Sequence, residues 1–117
     1  ENFLVELYCN AELFILLSQD VDRDIEGFGL VFLEAAACGL PVVAMLGTGA
    51  ADAVRDGYNG LLVPAADSYK AAQAMTKILS APELKNLFSK NSLELARVMS
   101  WGKAADAYLG VYQKVMR

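Results

Sequence analysis

The 117-residue chain has no histidine. That absence removes Ser-His-Asp and Cys-His nucleophilic chemistry and the commonest zinc ligand. Cysteine is scarce: Cys9 and Cys38 are the only two, set in apolar segments without partners at metal-ligand spacing. Buried free thiols in a reducing compartment are the expectation, and with them a cytoplasmic setting. Basic residues are few as well. Ten Lys and Arg against 14 Asp and Glu give a net charge of −4 and a pI near 4.7. A nucleic-acid surface needs a basic stripe, so no nucleic-acid partner is expected. Although 56% of the residues are hydrophobic and mean hydropathy is +0.33, no apolar run approaches the ~20 residues of a membrane span. Nor does a basic segment lead into an apolar stretch and cleavage site, so no signal peptide is expected. Any membrane association is left to parts of the protein outside these residues.

What is present fits one domain around one core. Phe3, Leu4, Leu7 and Tyr8 recur at helical spacing, which predicts a short amphipathic helix over 2–10. The run LFILL, residues 13–17, is short enough to read as a strand covered on both faces. A polar, acidic loop follows. A second helix is expected from Gly29 or Leu30 to Cys38, stopped by Gly39 with Pro41 beyond it. Residues 41–45 read as a buried strand with proline tolerated as its first residue. After a glycine-rich loop, a short helix near 50–55, turns at Asp56-Gly57 and Asn59-Gly60 and a strand over 61–63 are expected.

Beyond Pro64 only helices are predicted. Asp67 or Ser68 caps one over 69–80, with Ala72, Met75 and Leu79 on its inner face. Another starts near Glu83 with Leu84, Leu87, Phe88 and Leu95, and a last one runs from about Trp101. Alternating strands and helices imply a parallel sheet with right-handed crossovers. The fold class is therefore α/β, a partial Rossmann-like unit of about three parallel strands flanked by helices, with a helical C-terminus. So thin a sheet leaves an edge exposed, through which a homo-oligomer can form.

Chemistry is expected at the carboxyl ends of the strands, where loops enter helix N-termini. There the chain reads EGFGLVFLE, residues 26–34. Gly27 and Gly29 allow close backbone approach, and the helix start offers unpaired N–H donors for an anion, most naturally a phosphate. EGFG alone is equally a glycine-rich helix entry whose acidic residues favour the dipole. Glu34 adds to it. It is the only charge between Gly27 and Pro41, and it must reach solvent or accept hydrogen bonds. A vicinal diol satisfies both of its oxygens, and Glu26 can reach a second set of hydroxyls across the phosphates. A nucleotide sugar has that form. Asp20, Asp22 and Asp24 read as a solvated loop rather than a metal site. Arg55, Lys70 and Lys77 read as solvated charges, and Trp101, Tyr108 and Tyr112 as core packing.

Glu26 and Glu34 form E-x7-E within EGFGLVFLEAAACGLPVVA. With LYCNAELFILLS before it, and GTGAADAVRDGYNGLLVPAAD and SWGKAADAYLGVYQKVMR after it, nearly the whole chain resembles the retaining GT-B glycosyltransferases of family 4 (glycosyl transferases group 1). The resemblance implies the C-terminal portion, over 1–117, of a domain that binds a nucleotide-diphosphate sugar. It implies that Glu26 contacts the transferred sugar, that Gly27, Phe28, Gly29 and Leu30 hold phosphate and sugar oxygens, and that Glu34 binds the ribose diol. It implies no metal and no cofactor besides the donor. Gly47-Thr48-Gly49 stands where relatives often have paired glycines. The family's N-terminal acceptor domain and the Arg/Lys pair that grips the diphosphate are missing, so these residues alone are expected to be inactive. A non-catalytic nucleotide- or sugar-binding module and a self-associating structural fragment are the alternatives.

Overall fold

A computed structural model of the chain describes residues 2–17, 30–47 and 53–99. Within them the order is α1 (Asn2–Asn10), β1 (Phe14–Leu16), α2 (Leu30–Ala37), β2 (Val42–Met45), β3 (Gly60–Val63), α3 (Ser68–Leu79) and α4 (Pro82–Val98). The three strands form one parallel sheet in the order β1-β2-β3. Phe14 pairs with Val42, and Val42 with Gly60. The expected α/β class with three parallel strands flanked by helices is what the chain adopts.

β2 is buried at every position, as a central strand covered on both faces should be. Its alternate side chains feed two cores. Val42 and Ala44 join Phe32, Ala35, Leu40, Ala53 and Val54 on one face, with Tyr8 and Phe14 packed against them. Val43 joins Val63, Ala71, Ala74, Ile78 and Phe88 on the other. β1 is only half-buried, and Leu17 is exposed, so the covered strand expected over 13–17 is shorter and less enclosed.

α2 ends in a Schellman motif. Leu40 N–H bonds to the Ala35 carbonyl at 3.1 Å and Gly39 N–H to the Ala36 carbonyl at 2.9 Å, with Gly39 at φ +76°. α3 is capped by Asp67, whose Oδ1 accepts the Lys70 N–H at 2.9 Å. α4 starts on Pro82, which lacks the N–H that a first turn leaves unpaired.

Three further expectations fail. The buried face of α3 is Ala71, Ala74 and Ile78, while Ala72 and Leu79 are exposed and Met75 half-buried. Two alanines let the helix approach the sheet closely, which outweighs the bulk of Met and Leu on the neighbouring stripe. Residues 53–55 are turn and irregular backbone, not helix. Asn59 takes their hydrogen bonds, accepting the Arg55 N–H on Oδ1 at 2.8 Å and donating to the Ala53 carbonyl at 3.3 Å. Cys9 is exposed rather than buried.

α4 also braces the amino edge of the sheet with polar side chains. Ser92 donates to the Leu40 carbonyl at 2.7 Å, Ser89 to the Gly39 carbonyl at 2.6 Å, and Asn91 to the Tyr58 carbonyl at 2.7 Å. These carbonyls belong to the segments entering β2 and β3. Lys85 pairs with Glu12 just before β1. No helix among the described residues is long and apolar enough to cross a membrane. The last predicted helix, with Trp101, Tyr108 and Tyr112, lies outside the described residues.

Candidate functional site

β1 and β2 are parallel neighbours joined through α2. The helix therefore runs back against the strands, and its first residue, Leu30, stands at the carboxyl edge of the sheet. Leu30 is 49% exposed, while Phe32 in the same turn is buried, so α2 starts at the surface with its other side on the core. Its leading N–H groups have no partner within the helix, and the positive end of the dipole lies there. Glu26, Gly27, Phe28 and Gly29 precede it and lie outside the described residues, as do Asp20, Asp22 and Asp24. Gly47 closes β2 at the same edge with φ +80° and open space where a Cβ would stand.

Glu34 sits one turn into α2, half-buried, beside the fully buried Ala35 and Ala36. The Tyr8 hydroxyl donates to its Oε2 at 3.1 Å. The carboxylate thus meets the requirement set by its apolar surroundings, with partial exposure on one side and a donor on the other. Among the described residues, the ion pairs are Lys85–Glu12 and Arg97–Glu94, and no ammonium or guanidinium pairs with Glu34.

Tyr8 was not singled out as a site residue by sequence reasoning. Its signal was faint: a residue with a polar tip, 26 positions from its partner, on a helix whose other predicted apolar residues Phe3, Leu4 and Leu7 are exposed. The ring packs on Phe14 at 5.8 Å between centroids, and Phe14 meets Phe32 edge-on at 5.9 Å. Burial first, then the hydrogen bond and the charge of Glu34, and lastly Cys38, push the Tyr8 phenol above its ordinary value. It therefore remains a protonated donor through neutral pH. One turn below Glu34, the half-buried Cys38 thiol is also pushed up, chiefly by burial, then by its contact with Cys9 and by the charge of Glu34.

Arg55, Lys70 and Lys77 are exposed, as solvated charges should be. The Arg55 guanidinium lies over the Tyr58 ring at 5.7 Å, and none of the three joins Glu34.

Residues 1–94 match the family Glycosyl transferases group 1. The chain is 39% identical over 113 residues to a D-inositol 3-phosphate glycosyltransferase of Saccharomonospora viridis, covering 97% of this chain and 25% of that protein. It is 44% identical over 87 residues to the protein of that name in Actinosynnema mirum, covering 74% and 21%. Among solved structures, sucrose-phosphate synthase from Thermosynechococcus elongatus superposes with a TM-score of 0.82 at 31% identity, over 97% of this chain and 28% of that one. Anabaena HepE in complex with UDP-glucose gives 0.69 at 28% identity, over 78% and 24%. The chain spans about a quarter of the length of these relatives. On that match across most of its residues, the chain belongs to the glycosyl transferases group 1 family.

Proposed function

We propose that these residues form the C-terminal, donor-side part of a retaining glycosyltransferase that moves a sugar from a nucleotide-diphosphate sugar to an acceptor hydroxyl. The observation that carries the reading is Glu34. It is a half-buried carboxylate one turn inside a helix whose N-terminus opens at the carboxyl edge of a parallel sheet, with no cation among the described residues to neutralise it. Such a group suits a vicinal diol, here the ribose of the donor. The first turn of α2 and the backbone of Gly27, Phe28, Gly29 and Leu30 suit the diphosphate. Glu26 suits the hydroxyls of the transferred sugar. HepE, solved with UDP-glucose and with UDP and glucose, supports a nucleotide sugar as the ligand class.

In the reaction, the acceptor oxygen bonds to the anomeric carbon as the bond from that carbon to the phosphate oxygen breaks. Attack and departure on one face keep the configuration, and the departing phosphate oxygen takes the acceptor proton. Charge building on the diphosphate is met by oriented N–H groups at the α2 N-terminus, the place where fixed dipoles lower a barrier most. The basic groups that share this task in the family have no counterpart in these residues, so the 117 residues alone are expected to show no transfer.

The test is Glu34→Ala in the full polypeptide encoded by the gene, with donor affinity measured by calorimetry. Losing two hydrogen bonds to a carboxylate, at about 1.5–3 kcal/mol each, should weaken the donor by roughly 100-fold or more. Unchanged affinity would remove the ribose role.

A further inference from the structure

We propose that Tyr8 is a positioning residue for Glu34: its hydroxyl holds one carboxylate oxygen in place so that the group meets the nucleotide's ribose diol already oriented. The inference rests on the reading of Glu34 as the ribose-binding carboxylate and adds to it a residue on a different helix.

The geometry supplies three reasons. An ionised carboxylate has about four acceptor positions. The Tyr8 hydroxyl fills one of them, at 3.1 Å on Oε2, which leaves more than the two that a diol requires. A cation in the same place would fix the carboxylate but also neutralise it, whereas a phenol fixes it and leaves its charge for the ligand. Finally, the hydroxyl is itself rigidly carried. Tyr8 packs on Phe14 of β1, and Phe14 meets Phe32 of α2, two residues before Glu34. Three aromatic rings thus tie α1, β1 and α2 into one frame around the carboxylate. Glu34 has three rotatable side-chain bonds, and ordering them before the ligand arrives removes that cost from binding.

A purely structural role, in which Tyr8 only satisfies a half-buried carboxylate, predicts something different. Weakening the α1–α2 junction would then affect every nucleotide alike, whether or not it carries ribose hydroxyls.

The experiment uses the full polypeptide encoded by the gene. UDP, ADP and GDP are first compared by calorimetry, and the tightest is used alongside its 2′,3′-dideoxy analogue. Four proteins are measured: the parent, Tyr8→Phe, Glu34→Ala and the double variant. Tyr8→Phe is expected to weaken the ribonucleotide about three- to tenfold, as the cost of ordering one long side chain on binding does. The dideoxy analogue should change less than twofold, and Tyr8→Phe should have no further effect once Glu34 is alanine. Equal weakening of both nucleotides overturns the inference, and that arm remains decisive even where the variant loosens the fold. Unchanged or tighter ribonucleotide binding in Tyr8→Phe overturns it too, since Tyr8 would then compete with the ligand. If Glu34→Ala leaves ribose discrimination intact, the ribose reading itself falls, and the Tyr8 inference with it. If Glu34→Ala abolishes discrimination and Tyr8→Phe does not, only the Tyr8 inference falls. No binding of any of the three nucleotides overturns both.

Discussion

Ser92→Ala removes one hydroxyl from a helix whose other residues are unchanged, and its effect can be worked out from the partners of that hydroxyl. Ser92 is fully buried. Its Oγ donates to the Leu40 carbonyl at 2.7 Å and lies 3.5 Å from the Asn59 carbonyl. The Asn59 oxygen keeps the Val42 N–H at 3.1 Å, so the cost falls on Leu40. A buried carbonyl deprived of its donor costs about 1–3 kcal/mol. Alanine returns roughly 0.5 kcal/mol through its higher helix propensity. The expected net loss is about 1.5 kcal/mol. Unfolding entropy of about 2.1 cal/mol/K per residue over 117 residues is roughly 0.25 kcal/mol/K, so the midpoint should fall by about 6 °C. Thermal unfolding followed by circular dichroism measures it. Ser89→Ala is the comparison, because Ser89 is half-buried and the Gly39 carbonyl it leaves can take up water. Ser89→Ala should therefore cost less. A Ser92→Ala midpoint within 1 °C of the parent, or a larger loss from Ser89→Ala, would refute the reasoning.

Two further outcomes are expected. Gly60→Ala should leave little folded protein on soluble expression, since its Cβ would overlap the Val42 carbonyl oxygen and stand 2.7 Å from the Val42 carbonyl carbon; folding at parental yield would show that β2 and β3 can separate cheaply. The raised Cys38 and Tyr8 values have a definite sign: the unfolded chain ionises first, near the ordinary 9.0 and 10.0. The stability from their neutral forms is therefore complete below pH 9 and lost as pH rises through the folded values. Urea midpoints should fall from about pH 9 upward, and Tyr8→Phe should flatten the portion above pH 10; an unchanged slope in that variant refutes the assignment.

The strands were legible because buried parallel strands read as unbroken apolar runs, and here Pro41, Gly60 and Pro64 bound them. The end of α2 was equally plain, since Gly39 before Leu40-Pro41 is how a Schellman turn is written. Helix orientation was harder. On α3, the stripes 71/74/78 and 72/75/79 differ by one residue, and only the closeness of the sheet chooses the alanine stripe. On α4, Leu87 is one of the apolar residues that mark the helix in the sequence, yet it is 49% exposed while Ser92 is fully buried. Apolar periodicity cannot find such a position, because Ser92 is inside for its hydrogen bonds. The Ala53–Arg55 segment has helical composition, but a side chain four to six residues ahead takes its backbone partners.

The candidate site divides in the same way. Glu34 stood out because a lone charge in an apolar helix is conspicuous in one dimension. Tyr8 did not, because its importance lies in a contact between two helices that the chain brings together only after β1 has turned back. Cys9 was misjudged for a related reason: hydrophobic neighbours in sequence do not bury a residue on a nine-residue helix whose apolar side chains are themselves largely exposed.

The bracing by α4 also has a consequence in time. Phe14 meets Val42, Val42 meets Gly60, and Ser92 meets Leu40, so every contact that defines the sheet joins distant parts of the chain. Loops must close before those contacts repay the entropy, which slows folding relative to the helices alone. A chain made from its N-terminus has α2 and β2 in place while the hydroxyls that satisfy Leu40 and Gly39 are still unsynthesised. The turn between α2 and β2 is written early and completed late, and that interval is when an exposed strand edge is most open to a wrong partner.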